Sequence, residues 1–161
     1  MVDNKNQVVQ DIPQEKGEEE IQQFIGIRLG KELYGIPVEK IRKIAKPLQI
    51  TSIPGTDPHI MGLMNLHGEI LCVVDVKILL NMGKAIPAEN SRVVVIKTVE
   101  GPVGIFCDEV MDIYDIVKKD IEATLSTLST EIGVYVQGQV QVEIGLMGIL
   151  DIERLLLKQE K

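Results

Sequence analysis

Four residues of metal-ligating type fall in one window of the chain: His59, His67, Cys72 and Asp75. Their spacing matches no zinc pattern. In a strand, residues an odd number apart face opposite sides, which separates Cys72 from His67 and from Asp75. A metal site is therefore not expected. Nor does a nucleophile stand out. There is no G-x-S-x-G elbow, and Cys107 is followed by Asp108 and Glu109 with no histidine nearby in sequence. Acidic pairs such as Asp108–Glu109 and Asp112 with Asp115 fit solvated faces better than a general acid and base. Neither phosphate-binding glycine pattern is present. The residues that could do chemistry are not arranged to do it, so the expectation is a protein that is not an enzyme and carries no cofactor.

The elements around these residues say more. The chain has 161 residues, about one domain, and a chain of this length buries roughly two-thirds of its unfolded surface. Aliphatic residues with frequent glycine, and only five Phe and Tyr residues together, favour β-structure. The formal charge is −7. Residues 1–20 hold six acids against Lys5 and Lys16, so −4 sits there and −3 elsewhere. That acidic, aperiodic stretch reads as a disordered tail, with residues 21–161 as a single domain. No basic cluster with interleaved aromatics points to nucleic acid. No apolar run suits a signal peptide or a membrane span. Cys72 and Cys107 lie in apolar runs and read as small buried hydrophobes in a reducing, cytoplasmic setting.

The chain contains a duplicated unit. Gly62 to Leu80 matches Gly138 to Leu156 at an offset of 76, with Val73-Val74-Asp75-Val76 against Ile149-Leu150-Asp151-Ile152. Upstream, Tyr34-Gly35-Ile36 to Ile41 matches Val103-Gly104-Ile105 to Val110 at an offset of 69. Two similar units in the same order predict two similar lobes. Each would be marginal alone, so they are expected to share a core, divided at roughly 21–90 and 91–157.

Alternation and turn residues predict hairpins at Phe24–Leu29/Leu33–Ile36 and Gly62–Leu66/Glu69–Val74, a short strand at Ile50–Ile53, and strands over 92–98, 103–106, 110–117, 134–142 and 144–150. Asp75 should cap a short helix, Val76 to Met82, stopped by Gly83. Asp151 should cap another, from Ile152 to about Gln159. Lys84–Ser91 reads as a polar link. Residues 118–133 are the least readable, with a helical turn possible over Ile121–Leu128. The run Ile60-Met61-Gly62-Leu63-Met64 is apolar on both alternating faces. Either both faces are buried in the shared core, or one is exposed to a partner. The fold class is all-β: two small barrels, each closed by a short helix.

At Gly62-Leu63-Met64-Asn65-Leu66-His67-Gly68, followed by Val73-Val74-Asp75-Val76 and Leu79-Leu80, the sequence resembles the CheW family, the coupling proteins of bacterial chemotaxis. The likeness extends to the hairpin ending in Tyr34-Gly35-Ile36, to Val103-Gly104-Ile105 with Asp108-Glu109-Val110, and to Tyr135-Val136-Gln137-Gly138 and Leu150 to Leu156. It covers about residues 22–157. The resemblance implies two intertwined five-stranded β-barrels with short helices, one at the C-terminus, and a hydrophobic zone between the barrels. It implies a cytoplasmic adaptor in a two-component system, bridging the cytoplasmic tips of methyl-accepting chemoreceptors to the regulatory domain of a CheA-type histidine kinase, recruited to membrane-associated arrays without entering the membrane. Receptors would dock in the groove between the barrels and the kinase at a barrel end. A related regulatory module with other partners, such as one fused to a receiver domain, and a small-ligand-binding barrel are the alternatives.

The partner-facing residues expected, near the groove, are Ile41, Lys43, Asn65, Leu66 and His67. This chain departs from the family there. His67 replaces an Arg, Met61 an Arg or Lys, Cys72 an inner Pro, and Lys43 a Glu thought to pair with that Arg. Lys43 and His67 cannot form a salt bridge. An exposed pair is worth only about 0–1 kcal/mol, so the fold should not suffer, and the expected consequence is a partner with altered charge at that spot.

Overall fold

The computed structural model of the chain describes residues 19–123 and 134–159. Most of the acidic tail and much of the Ile121–Leu128 reading lie outside the described residues. The strands are β1 (Ile21–Leu29), β2 (Glu32–Pro37), β3 (Ile41–Ala45), β4 (Ile50–Thr51), β5 (Ile60–Leu66), β6 (Glu69–Asp75), β7 (Arg92–Ile96), β8 (Val103–Cys107), β9 (Glu109–Val117), β10 (Val136–Val142) and β11 (Gly145–Leu150). Two short helices follow the hairpins, α1 (Val76–Leu79) and α2 (Ile152–Gln159). Among the described residues, no helix is long and apolar enough to cross a membrane.

The strands form two sheets, in the orders β10-β11-β2-β1-β9 and β3-β7-β8-β6-β5-β4. The duplication explains both. The first sheet takes its β1–β2 hairpin from the first copy and its other strands from the second. The second sheet takes β7–β8 from the second copy and the rest from the first. The copies have exchanged their opening hairpins, so the sheets do not divide the chain where the repeat does. The registers match across the exchange. Val73 pairs with Gly104 in the parallel β6–β8 ladder, and Ile149 with Gly35 in the parallel β11–β2 ladder. Ile41 pairs with Ile96, and Val110 with Ile27. The two-residue β4 is the main asymmetry. Its counterpart is reduced to a single bridge between Glu122 and Gln139.

The strands in the middle are apolar at nearly every position because both of their faces are buried. Val93, Val95 and Phe106 pack with Met64, Leu66, Leu71 and Val73 inside one lobe. Their neighbours Val94, Ile96, Ile105 and Cys107 point the other way, into a central core joined by Ile25, Ile27, Ile36, Val74 and Leu150. Phe24, Ile116, Val140, Met147 and Ile149 fill the second lobe. The molecule thus has one core inside each lobe and a shared one between them. The Ile60–Met64 run combines the two readings open to it: Gly62 and Met64 are buried, while Ile60, Met61 and Leu63 are half-buried.

The two caps repeat as well. The Asp75 N–H donates to the His59 carbonyl at 2.7 Å, and the Asp151 N–H to the Tyr135 carbonyl at 2.8 Å. The Asp75 carboxylate accepts from the Lys77 N–H at 3.1 Å and from the Ala85 N–H at 2.8 Å. Asp151 accepts from the Arg154 N–H at 3.2 Å. Helix α1 is shorter than expected. Asn81, at φ +60°, takes the left-handed closing position. The Met82 N–H reaches the Lys77 carbonyl at 2.8 Å and the Asn81 N–H the Ile78 carbonyl at 3.1 Å, the paired bonds of a Schellman stop. Asn81 ends the helix two residues before Gly83.

Candidate partner-binding site

The expected partner-facing residues fall on two elements. Asn65, Leu66 and His67 form the end of β5 and its turn into β6. Asn65 Oδ1 accepts from the Gly68 N–H at 2.8 Å, so its side chain shapes the turn. His67, at φ +53°, is exposed at the apex. Leu66 turns inward to the lobe core and is 6% exposed, so it supports the turn from behind. Ile41 is half-buried against the central core, and Lys43 is exposed on β3.

A residue pair that the sequence reading missed joins the two elements. Arg42 on β3 forms a forked ion pair with Glu69 at the start of β6, at 2.9 and 3.0 Å. In hydrogen-bonding order β3 stands three strands from β6, about 14 Å on a flat sheet. The ion pair fits a sheet curled into a barrel that brings β3 against the β5–β6 turn. It lies beside Lys43 and His67, with the acid now near the turn and the base on β3. The Glu69 carboxylate holds the Arg42 guanidinium above its ordinary pKa, through the hydrogen bond first and charge second. Exposed Ile44 and Ile70 flank this corner.

A cleft of about 550 Å³ opens on the rim of the central core. Ile60 and Cys72 line it from the β5–β6 hairpin, Gly101, Pro102 and Val103 from the β7–β8 turn and β8, and Leu156 from α2. Its lining mixes apolar side chains with the Thr98 and Glu100 turn.

Burial raises the thiol pKa of half-buried Cys72. Burial, and then the charge of Asp108, push Cys107 up to about 12, the opposite of nucleophile activation. Asp108 is a brace: its carboxylate accepts from the Gly30 N–H at 2.6 Å and pairs with Lys77 Nζ at 3.6 Å, tying α1 to the β1–β2 turn. Among the described residues no group of three or more His, Cys, Asp or Glu could hold a metal ion.

The geometry defines a two-lobed β scaffold with a charged corner and a cleft. Comparison with known proteins gives the family. The family model of the CheW-like domain matches residues 23–160. The chemotaxis protein CheW of Klebsiella aerogenes is 31% identical over 147 residues, 89% of this chain and 87% of that protein. The chemotaxis protein CheW of Helicobacter pylori is 29% identical over 140 residues, covering 87% and 84%. Among solved structures, the scaffolding protein TtCheW from Thermoanaerobacter tengcongensis superposes with a TM-score of 0.74 at 26% identity, covering 83% of this chain and 86% of that one. The chain belongs to the CheW-like domain family. Proteins of this family are non-catalytic scaffolds and adaptors.

Proposed function

We propose that this protein is a non-enzymatic adaptor that couples chemotaxis components by binding them. The observation that carries this reading is the family match over residues 23–160, with two interlocked β lobes beneath it. Its partners in this proposal are the cytoplasmic tip of a methyl-accepting chemoreceptor and the regulatory domain of a CheA-type kinase, met on the cytoplasmic side in receptor arrays. The receptor tip docks in the cleft around Cys72, where the lobes meet. The kinase domain docks at the corner formed by Ile41, Lys43, Asn65 and His67, with Leu66 behind it and the Arg42–Glu69 pair holding the two elements together. In this proposal residues 21–161 work as a single domain.

Co-sedimentation of the purified protein with CheA and receptor tips tests the adaptor reading, and binding to neither would overturn it. Cys72 supplies a site-specific check. Cys107 is fully buried and Cys72 half-buried in the cleft, so Cys72 is the thiol open to alkylation in the folded protein. A bound receptor tip should slow its modification.

A further inference from the structure

The Cys72 cleft has a twin. A second hollow, of about 350 Å³, is lined by Glu32, Leu33, Tyr34, Val136, Gly148 and Leu80. Each of these corresponds, at the repeat offsets of 69 and 76, to a residue of the first cleft: Gly101, Pro102, Val103, Ile60, Cys72 and Leu156. The exchange of hairpins produces this relation, since the β11–β2 and β6–β8 ladders have the same register. Duplication therefore created two candidate docking clefts, while an adaptor that must hold one receptor in one orientation needs one.

The two differ most where Tyr34 replaces Val103 and Gly148 replaces Cys72. The Tyr34 ring lies over Gly148. A Cβ built on Gly148 would stand 3.0 Å from Tyr34 Cδ1 and 3.1 Å from Cε1, so the missing side chain is what admits the ring. Tyr34 also packs against the central core. Burial, with the Glu32 carboxylate second, raises its phenol pKa to about 12, so the ring stays neutral. In the first cleft the smaller Val103 takes the place of Tyr34, and the cavity is larger, about 550 Å³ against about 350 Å³.

We infer that Tyr34 is the specificity-determining residue that makes the duplicated scaffold one-sided, by narrowing the hollow over Gly148 so that only the cleft over Cys72 accepts the receptor tip. This rests on the receptor-docking reading above. The test uses a soluble fragment of a chemoreceptor tip, with binding measured by calorimetry and Cys72 alkylation followed in parallel. With the fragment at about ten times its Kd, the wild-type protein should bind one fragment and alkylate about tenfold more slowly. Tyr34→Val, which installs the residue found at position 103, should bind two fragments per chain. Unprotected Cys72 in the wild type would overturn the docking reading itself. Protected Cys72 with a single fragment bound to Tyr34→Val would overturn the role of Tyr34 alone, provided that an added Gly148→Cys in that variant alkylates readily and so shows the cleft to be open. If Tyr34→Val does not fold, the reciprocal variant Val103→Tyr with Cys72→Gly decides. Loss of fragment binding with an unchanged circular dichroism spectrum supports the inference, and unchanged affinity overturns it.

Discussion

Replacing Asp75 with alanine removes a buried bond to the link between the two copies. Asp75 is 1% exposed, and its carboxylate satisfies two N–H groups, Lys77 at the start of α1 and Ala85 in the link between copies. Losing the cap alone costs about 1 kcal/mol. The Ala85 N–H is buried, and a buried donor left without a partner costs about 1–3 kcal/mol more. Asp75→Ala should therefore destabilise by about 2–4 kcal/mol. At Asp151 the bond seen among the described residues is the exposed one from the Arg154 N–H at 3.2 Å, so Asp151→Ala should cost about 0.5–1 kcal/mol. Asp75→Asn keeps one carbonyl acceptor but turns an amide N–H2 toward one of the two donors, and should fall between. Urea unfolding at neutral pH reads all three. With an m-value typical of a small domain, Asp75→Ala should lower the midpoint by about 1–2 M without changing m. If Asp75→Ala proves no worse than Asp151→Ala, the Ala85 bond contributes nothing and the reasoning from burial is wrong.

Gly62, at φ +146°, would place a Cβ 2.1 Å from the Thr51 carbonyl oxygen. Gly62→Ala should cost at least about 3 kcal/mol, against about 1–2 for Gly68→Ala, whose φ of +89° is strained but whose surroundings are empty; equal midpoints in urea would refute the close-approach argument. The Cys107 thiol has a raised pKa in the fold, so its contribution is fully present below the unfolded value of 9 and is lost as pH rises toward about 12. Stability should fall by roughly 1.4 kcal/mol for each pH unit within that window, and Cys107→Ala should flatten the fall that begins near pH 9; an unchanged profile would show that the thiol is not the titrating group. Installing the family's charges with Lys43→Glu and His67→Arg should change binding to the cognate receptor or kinase several-fold, mostly in association rate and salt dependence. Unchanged binding to both in surface plasmon resonance would rule out a role for that charge pattern in partner choice.

Much of the scaffold was legible along the chain because it is local. The Gly30-Lys31 and His67-Gly68 turns sit between alternating runs, and both hairpins form where those patterns predict them. Asp75 and Asp151 cap the helices as their positions before Val76 and Ile152 suggest. The stop of α1 was misplaced because Gly83 and Asn81 both tolerate a left-handed backbone, and only the hydrogen-bond pattern decides between them. The site was less legible. A motif points to Asn65, Leu66 and His67 as candidates, but which of them faces out depends on the lobe core. Arg42 and Glu69 carry no signal of pairing, being 27 residues apart and joined only when the sheet curls.

By itself the sequence determined a duplicated, all-β chain with two hairpin-and-helix units, and the family to which it belongs. What only the tertiary structure decided is which copy each hairpin joins. The two copies present matching apolar strands, so Gly35 and Gly104 could each pair with Val73 or Ile149 as far as alternation shows. Parallel pairing is non-local and leaves no mark in the periodicity of either strand. The exchange gives every central strand two buried faces, places a third core between the lobes, and sets two clefts in equivalent positions. In one of them Tyr34 lies on Gly148; in the other Val103 and Cys72 stand in their places.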